Sequence, residues 1–400
     1  MIIRIGVECE QLEDKRFGIG QTLAQLLEAV SHIPHIEKKY RFVLYFKKCI
    51  PDDRFLHHPV FEKKVLMPEV GCFNASFNIF YHILLPWHYH TDHINIFLFP
   101  SNMLPAFFIG KAIVILVNDV YWEAHHGTIP WKHRISYLLF CWWAARRATI
   151  MTISQYSKKE LQRYYHIPDA RIVVNPWPLN PLFQILPRTP VYTAKIQEYK
   201  KRFGITHDFI LSIGQAFPRR HIKESMEAFG QITSRYPHLQ YVVMCLDKYQ
   251  PPLLKHTADE INKREKRDAI LFDLPPYATE ELVYMMNEAK MLVYVSSQEA
   301  YGLPPIEAIL CGTPALVAHT PTTQELFGTE GFFVHGTPSP QEIHDIIIDT
   351  SAIADGMENI LRDPARASAI THTQAERFRS CTWQCYLENF FSLCDRILKR

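Results

Sequence analysis

Short, mostly apolar runs recur along the chain, at Ile2–Val7, Tyr40–Phe46, Ile94–Phe99, Ile113–Val117 and Thr149–Ser154, then at Phe209–Ile213, Tyr241–Leu246, Ala269–Phe272, Met291–Val295 and Pro314–Ala318. Strict alternation would mark strands with one wet face. Runs that lack it mark strands covered on both faces, as in parallel α/β sheets. Stretches of helical period separate the runs, so the two series predict two doubly wound lobes. Between them lies NPWPLNPLFQILPRTP, Asn175 to Pro190, whose prolines cannot continue a sheet or helix interior; it reads as the linker. The last stretch carries Trp383, Tyr386, Leu387, Phe390, Phe391, Cys394 and Ile397 close to helical spacing, which predicts a terminal helix in need of a surface to pack on.

Length agrees with two lobes, since 400 residues exceed one ordinary core. Charge narrows the partners. Forty-three basic against 41 acidic residues leave a net +2, which excludes a general nucleic-acid binder, so any bound anion must be gripped locally. The nine cysteines form no CxxC pair, and Cys381 and Cys385, one helical turn apart, read as packing rather than zinc; a reducing cytoplasm fits. MIIRIGVE reads as a first strand and not a signal peptide, and nowhere do about 18 uncharged apolar residues run together. The expectation is a cytoplasmic protein, soluble or peripheral on a membrane. Ile135–Ala145, flanked by His133, Arg134, Arg146 and Arg147, either buries in the core or lies in a membrane interface; burial is the commoner fate of such a run.

Candidate chemistry centres on SSQEAYGLPPIEAILCGTPAL, Ser296 to Leu316. A strand precedes it, and Pro304–Cys311 reads as a short helix with Gly312 at its stop. The helix N-terminus near Gly302 and Leu303 then sits at the carboxyl end of a parallel strand, a natural seat for a phosphate group. Glu299 and Glu307 flank that seat as acceptors for neutral hydroxyls, and a molecule with hydroxyls on both sides of a diphosphate is a nucleotide sugar. On spacing alone a capping Glu307 and a solvated Glu299 fit as well. FILSIGQAFPRRHIKESMEAF repeats the strand–glycine–loop–helix unit after Gly214, with Arg219, Arg220 and Lys223 able to stabilise a departing diphosphate, although on these residues alone a solvated basic helix start fits as well. A capping box is expected at Ser157–Glu160. His88, His90 and His93 lack a reason to be a metal site beyond their spacing.

EAYGLPPIEAILCGTPALVA resembles the E-x7-E segment of retaining glycosyltransferases of family 4, and TISQYSKKELQRYYHIPDARIVVNPWPLNP is similar to the segment closing that family's first lobe. RFGIGQTLAQLL is similar to its first-lobe glycine loop and ILSIGQAFPRRH to its second-lobe phosphate loop. The resemblance implies an α/β fold of the GT-B type: two doubly wound Rossmann-like domains facing across a cleft, with the C-terminal helix crossing back to the first. It places an acceptor-side domain at 1–178 plus 377–400 and a nucleotide-sugar-binding domain at 179–376. It implies that Glu299 contacts hexose hydroxyls, Glu307 the ribose, and the amides at Gly302 and Leu303 the diphosphate. Gly18 and Gly20 would lie close to that diphosphate, and Arg220, with Arg219 beside it, would stand where the family has a phosphate-binding lysine.

Two departures stand out. Gly214-Gln215 replaces a usual Gly-Arg, and Asn118-Asp119 a frequent His-Asp, so a group near the reacting sugar can hydrogen-bond but not titrate. His125 and His126 read as bystanders. The implied activity is retaining transfer of a hexose, mannose from GDP-mannose first, to a glycan or lipid-linked acceptor, with no cofactor and no metal. The rivals are a sugar-nucleotide 2-epimerase of the same fold and a degenerate nucleotide-sugar-binding partner.

Overall fold

The computed structural model describes residues 2–13, 18–67, 76–118, 131–338 and 346–399. Asp119, His125 and His126 lie outside these. The chain divides into two compact units, Met1–Pro178 with Cys381–Arg400, and Leu179–Ser380.

In the first unit β1 (Ile3–Glu8), β2 (Tyr40–Phe46), β3 (Phe61–Val65), β4 (Ile96–Phe99), β5 (Ala112–Ile115), β6 (Thr149–Thr152) and β7 (Ile172–Val174) form one parallel sheet in the order β3-β2-β1-β4-β5-β6-β7. Both faces are covered, and the strands show how. Phe42, Leu44 and Phe46 enter one apolar cluster while Val43 and Tyr45 enter the other; Ile96 and Leu98 part from Phe97 and Phe99 in the same way. A period of two with apolar residues on both sides reads as an unbroken run.

The terminal helix Trp383–Leu398 belongs to this unit. Thr382 caps it, and Tyr386, Leu387, Phe390, Leu393, Cys394 and Ile397 complete the cluster built on β1, β2 and the helix Ile19–Ser31. Phe391 stacks on Tyr40 with ring centroids 4.4 Å apart. Asn175, at the start of the proline-rich stretch, donates from Nδ2 to the Tyr386 carbonyl and accepts from Asn389 Nδ2, each at 3.2 Å.

In the second unit β8 (Asp208–Ala216), β9 (Leu239–Asp247), β10 (Ile270–Leu271), β11 (Leu292–Tyr294), β12 (Ala315–Ala318) and β13 (Phe332–Val334) pair in parallel in the order β10-β9-β8-β11-β12-β13. Between β7 and the helix Pro190–Arg202 the chain forms neither helix nor strand. It is nonetheless pinned: buried Asn287 accepts from the Leu186 N–H at 2.8 Å and donates to the Gln184 carbonyl at 3.0 Å. The apolar pattern passed over β3, β7 and β13, all edge strands, and a small antiparallel pair, Thr337–Pro338 with Ile346–Ile347. Among the described residues no helix is long and apolar enough to cross a membrane.

Phe390 is fully buried in the first unit's core. Phe390→Ala should cost about 4 kcal/mol, with hydrogen-exchange protection lost first in β1 and β2; unchanged protection there would contradict this packing role.

Candidate functional site

In both sheets the strand order reverses beside the first strand, between β1 and β4 and between β8 and β11. Crossovers leave on opposite faces there, and the gap at the carboxyl ends is where such sheets bind ligands. In the second unit β8 runs on into the turn Pro218–Arg220, and β11 into the loop that ends at the helix Leu303–Leu310. Ser297 ties the two together, donating from its N–H and its hydroxyl to the Arg219 carbonyl at 2.9 and 3.2 Å.

That tie brings Arg219, Arg220 and Glu299 into one cluster. Glu299 Oε1 accepts from Arg219 Nη1 at 2.9 Å, Arg220 Nε at 3.0 Å, Tyr294 OH at 2.9 Å and Ser296 Oγ at 3.1 Å. The side chains of Arg219, Arg220 and Glu299 are 7%, 16% and 13% exposed. Burial pushes the Glu299 carboxyl up, but the two guanidiniums, Tyr294 and Ser296 outweigh it and hold the group below the usual carboxylate range. Burial likewise works against the charge on Arg220, and Tyr294 and Glu299 overcome it. Among the described residues, one carboxylate thus faces two cations. Arg220 Nη1 donates to the Gln215 carbonyl at 3.0 Å, and its Nη2 donates to no described residue.

Gly214 is what lets the guanidinium settle. Its φ is +106°, and a Cβ there would lie 3.0 Å from Arg220 Nη1. Gly302 (φ +89°) turns the chain into the helix Leu303–Leu310 without a side-chain cap. Pro304 and Pro305 follow and have no N–H, so the donors left at this terminus are the Gly302 and Leu303 amides, neither of which bonds a described residue.

Glu307 lies farther along the same helix, and no described residue hydrogen-bonds its carboxylate. Burial alone raises it to about 7. A partner-free, desolvated carboxylate is a strong acceptor for a neutral hydroxyl. Lys223 is not part of the cluster: it pairs along its own helix with Glu227 at 2.5 Å.

The remaining expected residues belong to the first unit. Gly18, with φ +43°, precedes the helix Ile19–Ser31, and Gly20 is buried in that helix's first turn. Asn118 follows β5 and is 1% exposed; its Oδ1 accepts from the Ser157 hydroxyl, and its Nδ2 has no partner among the described residues. This corrects the expected capping box. Ser154 caps the helix Gln155–Tyr165 by accepting from the Ser157 N–H, because the strand ends there, and the Ser157 side chain turns inward to Asn118 instead. His88 of the histidine group bonds Asp92 at 2.9 Å.

Glu8 escaped notice in the sequence because it closes an apolar run. It is fully buried at the reversal of the first sheet, where it accepts from the Glu10 N–H at 2.8 Å and the Ser101 hydroxyl at 3.2 Å. Burial pushes it to about 7.

Residues 195–371 match the family of glycosyl transferases group 1. The match lies within the second unit, Leu179–Ser380. Among curated relatives, the serotype-specific mannosyltransferase WbdA of Escherichia coli is 25% identical over 202 residues, half of this chain and 24% of its own length. The O-antigen chain mannosyltransferase B of Escherichia coli is 24% identical over 240 residues, 59% of this chain and 58% of that one. The chain thus spans about a quarter to three fifths of the length of these two relatives. The crystal structure of WaaG, a glycosyltransferase involved in lipopolysaccharide biosynthesis, superposes with a TM-score of 0.69 over 99% of each chain at 15% identity. The architecture is that of the GT-B glycosyltransferase fold.

Two titrations test the second unit's geometry with opposite signs. Glu299→Gln leaves two buried guanidiniums unbalanced and should cost about 3 kcal/mol near neutral pH. The wild-type advantage, present above its unfolded value near 4.5, should shrink as pH falls through the depressed folded value. For Glu307 the folded value is the higher one, so wild-type stability falls as pH rises from 4.5 to about 7. Glu307→Gln should therefore exceed wild type by on the order of 2–3 kcal/mol at about pH 8 and match it under acid conditions. Urea unfolding across pH reads both; parallel pH profiles for the variants and wild type would contradict these environments.

Proposed function

We propose that the chain transfers a hexose from a nucleoside diphosphate sugar to an acceptor hydroxyl with retention at the anomeric carbon, mannose from GDP-mannose being the first donor to try. The observation that carries this reading is the cluster at the reversal of the second sheet: a cation pair held by Glu299, with spare donors at Arg220 Nη2, Gly302 and Leu303, and a partner-free carboxylate at Glu307. Donors of that kind suit a diphosphate. Glu307 suits the ribose hydroxyls and Glu299 those of the hexose. The two mannosyltransferase relatives support the choice of sugar.

In this reading the bond from the anomeric carbon to the β-phosphate oxygen breaks, and the oxygen takes the electron pair. Arg220 and the two amides stabilise the charge that develops there. The acceptor oxygen approaches the same face of an oxocarbenium-like sugar, and its proton passes to the departing phosphate oxygen. Asn118 can orient a group but carries no proton in this chemistry.

A panel of nucleotide sugars in thermal-shift binding identifies the donor, because a ligand of the native state raises its stability by mass action. Incubation with glycan acceptors and proton NMR of the product then gives the anomer. Glu299→Ala should weaken discrimination among sugars more than affinity for the bare nucleoside diphosphate, and Glu307→Ala should weaken both, each by about tenfold or more. An inverted product, or a sugar altered with no acceptor present, would overturn the retaining transferase in favour of other chemistry at the same pocket.

A further inference from the structure

At the end of the second sheet opposite the Glu299 cluster lies a cavity of about 620 Å³, a volume within the span of small-molecule sites. Asp208 and Leu239, where β8 and β9 begin, and Lys290 and Pro314, just before β11 and β12, lie along it. The helix Thr350–Arg362 supplies Ile360, and the next helix, Pro364–Phe378, supplies Ala367. Leu239, Ala289, Ile360 and Ala367 are all buried, so the floor is apolar. β8 runs nine residues, which places about 30 Å of strand between this cavity and the Glu299 end.

Charge indicates what the cavity would take. Among the described residues two carboxylates line it, and both are paired: Asp208 with Lys290 at 3.0 Å, and Glu288 with Lys200 at 3.2 Å and with Arg188. The donors are not used up. Arg235 gives Nε to Glu358, whose other oxygen accepts from Arg362, and the Arg235 Nη1 and Nη2 donate to no described residue. The Ser368 hydroxyl, also in the lining, bonds no described residue either. An apolar floor beside a guanidinium with two spare donors suits a molecule with an apolar body and one acidic head.

One wall of the cavity also anchors the proline-rich stretch before the helix Pro190–Arg202. Arg188 is part of the lining, and its Nη2 donates to the Asn287 carbonyl at 2.7 Å. Asn287, in the lining as well, holds Leu186 and Gln184. The lining is complete only while that stretch is anchored. A ligand that binds the anchored state makes its local opening rarer by mass action.

We propose that this cavity binds a small amphipathic anion, its apolar body on Leu239, Ile360 and Ala367 and its acidic head on Arg235, and that occupancy fixes the proline-rich stretch in place. The inference stands whatever reaction the second unit carries out.

Calorimetry on the full chain tests it with anilinonaphthalene sulfonate, an aromatic body bearing one sulfonate, and with N-phenylnaphthylamine, its neutral counterpart. The sulfonate should bind once per chain with a micromolar Kd, and the neutral dye about tenfold or more weaker. Arg235→Gln should weaken the sulfonate by about tenfold or more and leave the neutral dye unchanged, whereas Ser368→Trp, which narrows the cavity, should weaken both. Both positions are exposed, so unfolding midpoints should stay near wild type. At saturating sulfonate, hydrogen exchange at the Leu186 amide should slow by about tenfold or more. Binding that neither variant weakens, equal affinity for the two dyes, or unchanged exchange at Leu186 with the sulfonate bound would overturn the proposal. So would displacement of the sulfonate by a nucleoside diphosphate, which would assign the dye to the Glu299 end of the sheet.

Discussion

One carboxylate oxygen organises the second unit's ligand end. Glu299 Oε1 gathers two guanidiniums, a phenol and a serine hydroxyl at the carboxyl ends of β8 and β11. A buried ion pair is a poor way to gain stability, because desolvation consumes most of the Coulombic attraction. What it supplies is position. Without Glu299, Arg219 and Arg220 would repel each other out of a site where both are more than four fifths screened from water. With it, the cluster keeps an Arg220 nitrogen that bonds no described residue, a donor suited to an anion.

The elements around this cluster follow from the same need. Gly214 and Gly302 adopt positive φ, and at Gly214 a side chain would also crowd the guanidinium. The paired prolines after Leu303 restrict the helix terminus to two donors. Glu307, farther along the same helix, is raised to about 7 by burial, and no described residue hydrogen-bonds it.

Most of the strands were legible because both faces of each central strand are buried; Tyr40–Phe46 is found at its full extent. Edge strands were not, since Phe61–Val65 reads FEKKV, with one side turned toward water. The pairing of Arg219 and Arg220 with Glu299 was illegible too. The sequence places the arginine pair and the glutamate after two different strands, and only the pairing of β8 with β11 brings them together. Lys223 looked equivalent to its neighbours by spacing, but helical geometry offers it Glu227 one turn away. Glu8 could not be singled out in a run that otherwise reads as a strand.

The most direct test of the central claim is the affinity of the second unit's site for a nucleoside diphosphate, measured by calorimetry on wild type and Arg220→Gln at low and high salt. Arg220→Gln should lose about tenfold or more at low salt, show a smaller salt dependence, and keep its affinity for the free nucleoside. Equal diphosphate affinity and equal salt dependence in the two proteins would contradict it.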